Sequence, residues 1–398
     1  MKKIIVIVVA VPLAAWILLS IAATAMERRA AARPWPDGLG SIDSVPARYP
    51  DRAADTPAAL ALTRMTMPLG VDLARRERRF VAAPPARREF GAINAQLRAY
   101  IEAQLTRPSE GIDPPPPLLI GYFADHGAQL DAVRTHLLSG APIAWKTELS
   151  RGFDAPIPNL LGHMELARLF VADALVKARA NDAAAWDDLR AVWLLDAGLR
   201  SRPDLISQLI ALASSRMVNA AAAKLPLPAP AWLAELSAVD YRKSLSASMQ
   251  AEAWAWTHLP SRGGGWLARP YVRLSGADAA EHLRAGFARM AASTACDVDE
   301  AALTDAVVGS IPRWNVLAMT AIPNLAGVWQ RAARMTPELE LTAKVLQLRR
   351  GETPSPESRC SGGRWIVTAS SVKFSGNLRA PKTGTNYPLE YAALDLGH

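Results

Sequence analysis

Apolar residues recur at helical spacing along most of this chain, and most regularly between Asn159 and Leu225. In 160-LLGHMELARLFVADALVKARA-180, Leu160, Met164, Ala167, Val171, Ala174 and Ala178 form one stripe, with Leu169 and Val176 on the far side. A helix apolar on two faces is one buried between neighbours. Asn181-Asp182 then supplies a turn and a cap for a second helix, which carries Trp186, Leu189, Trp193 and Ala197 on one face. Pro203 opens a third helix with Asp204 in its first turn. That helix sets Leu205, Leu209, Ala213, Met217 and Ala220 on one side and Gln208, Ser215 and Asn219 on the other. Connections this short make the three helices antiparallel neighbours, a spine for the rest of the fold.

The same periodicity predicts helices over 88–107, from about Asp125 to Leu138, over 241–259 after an Asp240 cap, and at about 277–292, 299–308 and 314–350. The last is expected to break near Pro323 and Pro337, since proline removes a donor and clashes with the preceding turn. Pro114 to Pro117 read as a stiff spacer, and 260–276 as irregular chain bending at Gly263–Gly265. Beyond Pro354, 364-RWIVTAS-370 and 371-SVKFSGNL-378 predict a β-hairpin, followed by a loosely ordered tail after Pro381. No fixed period recurs, so a strict tetratricopeptide array is set aside. The fold class is mainly α: an irregular helical bundle or short α-solenoid of helical hairpins, with an N-terminal transmembrane helix and a small C-terminal β-hairpin.

The N-terminus sharpens this picture. Lys2-Lys3 precede 4-IIVIVVAVPLAAWILLSIAATAM-26, an apolar run of 23 residues, longer than the core of a signal peptide and sufficient to span a bilayer. The charge bias puts the N-terminus in the cytoplasm. Ala23-Thr24-Ala25 is also an acceptable cleavage site, so the alternative is a signal peptide and release into the periplasm. The expected organisation is an anchor at 1–28, a Pro/Ala/Arg-rich linker at 29–85, a helical domain at 86–350 and a hairpin cap with its tail at 351–398. The setting is the inner membrane of a Gram-negative bacterium, single-pass, with the bulk in the periplasm. In that oxidising compartment Cys296 and Cys360, the only cysteines, are a candidate disulfide.

A net charge of +8 invites a nucleic-acid reading, but the arginines are interleaved with Asp and Glu and form no dense block. A solvated helical surface explains them, with a mild attraction to anionic lipid, and no nucleic-acid partner is expected.

Candidate chemistry is sparse. His163-x-Glu165 opens the first spine helix, but i,i+2 spacing points the two side chains to nearly opposite faces, and no HExxH motif is present. There is no G-x-S-x-G elbow and no glycine-rich phosphate loop after a strand. Asp187-Asp188 read as solvated carboxylates. His163, Glu165 and Glu252 are therefore weak catalytic candidates, and no cofactor or metal is expected. In 252-EAWAWTHLPSRGGGWLARPYVR-273, Trp254 and Trp256 point about 200° apart, so one face cannot bury both. With Arg262, Trp266, Arg269 and Tyr271 they make a possible interaction surface for a membrane interface, a glycan or a protein, unless neighbouring helices cover both tryptophans.

The segments 158-PNLLGHMELARLF-170, 203-PDLISQLIALA-213 and 339-LELTAKVLQLRRGE-352, with the Cys360–Trp365 run, resemble those of a loose group of uncharacterised membrane-anchored helical proteins of bacteria. The resemblance implies architecture and no activity. The expected function is a non-enzymatic, membrane-anchored envelope module for interaction or assembly. Its partners are the membrane, through residues 4–26, and another envelope protein or a glycan. The alternatives are an envelope hydrolase or glycan-processing enzyme, and a lipid- or peptidoglycan-binding module.

Overall fold

The computed structural model describes residues 2–73, 83–258, 265–292, 296, 299–322, 325–379 and 385–392. Helix α1 (Lys2–Ala32) leads into a ribbon of β1 (Pro34–Trp35) and β2 (Gly40–Ser41), then the short helices α2 (Val45–Arg48) and α3 (Pro57–Thr66). Next come α4 (Pro84–Leu105) and α5 (Pro117–Leu138), each opening on proline, whose missing N–H is harmless in a first turn.

The spine is α6 (Leu160–Arg179), α7 (Ala185–Arg200) and α8 (Leu205–Lys224), packed in sequence order. Asn159 caps α6 by accepting from Gly162 N, and Asp204 caps α8 by accepting from Ser207 N. After the spine follow α9 (Leu233–Ala238), α10 (Tyr241–Thr257), α11 (Arg269–Ala291), α12 (Glu300–Val308), α13 (Val316–Ala321) and α14 (Leu325–Arg349). An antiparallel sheet of β3 (Trp365–Val367), β4 (Val372–Phe374) and β5 (Glu390–Tyr391) closes the chain, with Trp365 opposite Phe374 and Val372 opposite Tyr391. The Cys296–Cys360 disulfide, with Cα atoms 5.3 Å apart, ties this sheet to the segment after α11. Around it Val345, Trp365 and Val372 form a small second core.

The fold departs from the sequence expectations at several points. The polar side of α8 is buried, because α14 lies along it: Asn219 donates to the Glu338 carbonyl (2.9 Å) and accepts from Thr342 Oγ1 at its own carbonyl (3.1 Å). Asp188 is buried too, held by Arg134 and by Lys177 Nζ at 2.7 Å, whereas Asp187 is exposed. The 29–73 part of the expected linker is folded. Its isolated apolar residues Trp35, Ile42, Val45, Leu62, Leu69 and Leu73 enter the main core, and its prolines open short helices. Helix α5 begins at Pro117, and α11 already at Arg269. Helix α14 runs through Pro337 unbroken, with Glu338 anchored to Arg216 and Arg334 on the very next position. Finally, Glu390-Tyr391 adds a third strand where a loose tail was expected.

Candidate functional site

Helix α1, at 1.5 Å per residue, is about 46 Å long and exceeds the roughly 30 Å hydrocarbon layer. From Trp16 onward it is docked along one side. Ala23 and Ala30 are buried, and polar contacts run up a seam with α11. Trp16 Nε1 donates to the Trp266 carbonyl (3.1 Å), with the two indoles edge to face at 6.0 Å. Arg273 Nε donates to Glu27 Oε1 (2.8 Å) and its Nη2 to Thr24 Oγ1 (3.3 Å). Arg33 Nη1 reaches Glu281 Oε2 at 2.6 Å. The paired positions ascend together, so the two helices run parallel. Within α1 the hydroxyls of Ser20 and Thr24 donate back to the carbonyls of Trp16 and Ser20, which leaves neither in need of water.

At the lower end of this seam the surface is apolar. Trp266 and Leu267 are 62% and 65% exposed. Tyr271 Oη donates to the Trp314 carbonyl (3.0 Å), which fastens the exposed Trp314 and the α13 that follows it, with exposed Val316 and Met319, beside the first turns of α11.

The tryptophan–arginine surface expected from sequence is thus only partly present. Trp266 and Arg269 are exposed and Tyr271 is half-buried, while Arg262 lies outside the described residues. Trp254 and Trp256 are both 7% exposed. They do point to different sides of α10, but both sides are covered: Trp256 meets Phe153 edge to face (5.1 Å), and Trp254 stacks on His258 (4.2 Å).

The three catalytic candidates do not converge; no hydrogen bond or ion pair joins them to one another among the described residues. His163 is fully buried, its Nδ1 against the Asn159 carbonyl (2.8 Å) and its ring against Trp145 (5.2 Å). Burial pushes its pKa down to about 4, so the imidazole is neutral. Glu165 is half-buried, and desolvation raises its pKa, opposed by Arg168. Glu252 is the one with a cavity. It accepts from Leu205 N at the start of α8 (3.3 Å), and desolvation raises its pKa to about 7, against the Leu205 bond and assisted by Asp204. The cavity, ≈ 140 Å³, is walled by Phe153, Ile157, Ile206, Ala251 and Ala255. Arg202 also lines it but is already committed to Asp204 (2.8 Å) and to the Lys146 (3.0 Å) and Pro156 (2.9 Å) carbonyls. This arrangement offers the Glu252 carboxyl in a mainly apolar hollow, beside the Arg202–Asp204 ion pair. Sequence reasoning missed the hollow because its walls come from three separate segments.

No protein-family model, no curated protein and no solved structure matches this chain.

Proposed function

We propose that this chain is a membrane-anchored envelope protein whose helical domain faces the periplasm and serves interaction or assembly. One observation carries the reading: the apolar N-terminal helix continues directly into the domain and is fixed to it through Trp16–Trp266 and Glu27–Arg273. Cleavage after Ala25 would discard Trp16 and the buried Ala23, so the docked seam favours retention over release. The Cys296–Cys360 bond fits an oxidising compartment. The test is alkaline carbonate extraction of membranes together with in-cell cross-linking of the native chain. The protein is expected to stay in the membrane fraction and to yield the same protein partner in repeated captures. Repeated captures without any common partner would end the assembly reading.

A second reading, an envelope hydrolase or an amphiphile-binding module, draws on Glu252. A carboxyl with a pKa near 7 in an apolar hollow suits a general acid. Turnover of a glycan or ester that disappears in Glu252→Gln would support it.

A further inference from the structure

We propose that Trp266 to Arg273, with α13 beside them, form a second membrane contact that sinks into the leaflet next to α1 on the side of the folded domain. The inference rests on α1 spanning the bilayer, and it follows from register. Trp16 lies ten residues before Met26, the last residue of the apolar run, which is about 15 Å along a helix axis. The carbonyl of Trp266 is bonded to the Trp16 indole, so Trp266 shares that depth. A helix that spans from Ile4 therefore carries Trp266 and Leu267 below the membrane surface. Lipid is then the neighbour that their exposed side chains meet.

The flanking chemistry is ordered as an interface requires. Trp266 and Leu267, deepest, present apolar surface. Arg269, one turn on, has a stem long enough to bring its guanidinium up to the headgroups. Tyr271 and Trp314, amphipathic aromatics suited to the headgroup level, follow, joined by the Tyr271–Trp314 hydrogen bond. Arg273 and Glu27 neutralise one another at the level where α1 leaves its apolar run. Val316 and Met319 extend the same apolar rim along α13. Two contacts beside one another hold the domain at a fixed tilt, which a single helix on a flexible tether does not.

The experiment uses the full chain in phosphatidylcholine vesicles whose acyl chains carry bromine, a quencher of tryptophan emission confined to the hydrocarbon layer. Trp266→Phe is compared with Trp16→Phe and with Trp145→Phe, a tryptophan of the protein core. The Trp266 hydrogen bond is made by its backbone, so this substitution keeps that bond and exchanges only the ring set against the Trp16 indole. Quenching is expected to fall in Trp266→Phe and Trp16→Phe and to stay unchanged in Trp145→Phe. If the protein resists carbonate extraction and Trp16→Phe lowers the quenching while Trp266→Phe does not, the second contact is overturned and the anchor stands. If carbonate extracts the wild-type protein, both are overturned.

Discussion

Arg216 on α8 and Glu338 on α14 face each other through two bonds, Nε to Oε2 at 2.7 Å and Nη2 to Oε1 at 2.5 Å. Both side chains are nearly shut off from solvent, Arg334 reaches the same carboxylate at 3.2 Å, and the Arg216 guanidinium lies over the Tyr387 ring. One carboxylate thus compensates two buried cations. Glu338→Ala would leave Arg216 without its carboxylate in a buried site, at a cost of roughly 3–5 kcal/mol. Urea unfolding of the two proteins measures this, and a loss under about 1 kcal/mol would show that water reaches the site.

Glu252 and His163 give opposite pH dependences. The folded pKa of Glu252 lies near 7, above its unfolded value. The native state therefore holds the proton more tightly, and the stability this contributes is complete below about pH 4.5 and gone above about pH 7. Glu252→Gln should remove a fall on the order of 2–3 kcal/mol across that window. The folded pKa of His163 lies near 4, below its unfolded value, so its contribution is present above about pH 6.5 and lost as pH falls through 4. Denaturant midpoints of wild type, Glu252→Gln and His163→Gln at pH 4, 5.5 and 7.5 separate the two. A Glu252→Gln profile that parallels wild type would place this carboxyl in water.

The Cys296–Cys360 bond closes a sequence separation of 64 residues. By chain entropy such a crosslink is worth about 4 kcal/mol. Reduction, or Cys296→Ser with Cys360→Ser, is predicted to lower the denaturation midpoint accordingly and to expose the strands near Trp365 to protease first. Equal protease resistance in both redox states would contradict the tie.

Gly198 lies in α7, where a Cβ would come within 2.6 Å of the Ile143 carbonyl oxygen. Helix propensity alone predicts that Gly198→Ala gains about 1 kcal/mol. The close approach reverses the sign, to a net loss of roughly 1–3 kcal/mol. Thermal unfolding decides it, and a stabilised variant would refute the contact.

Much of the helical layout is legible from periodicity and caps. The two-stripe pattern of 160–180 marks a helix buried between neighbours, and Asp240 caps the helix that follows it, whereas α7 starts after Ala184 without the side-chain cap expected at Asn181-Asp182. What escapes notice is either aperiodic or reversed in sense. Trp35 sits between prolines, and nothing local says that it will meet Phe287 and donate to Ser246 Oγ (3.1 Å). The start of α11 is hidden because Pro270 reads as a break, although a proline at the second helical position is harmless in a first turn. Asp188 looks solvated because one of its two counter-ions, Arg134, stands 54 positions away and the other, Lys177, lies on the preceding helix. The Glu252 hollow joins α8, α10 and the chain before α6, and no single window contains them.

The seam between Trp16 and Trp266 also fixes an order of events during synthesis. The two residues are 250 positions apart, so the α1 surface that α11 covers is made long before its cover. At ordinary translation speeds that interval is on the order of 10–50 s. Throughout it Glu27 awaits Arg273, and Ala23 and Ala30 lack their covering helix. The newborn helix therefore begins as an incomplete surface, and the last third of the protein finishes what the first thirty residues began.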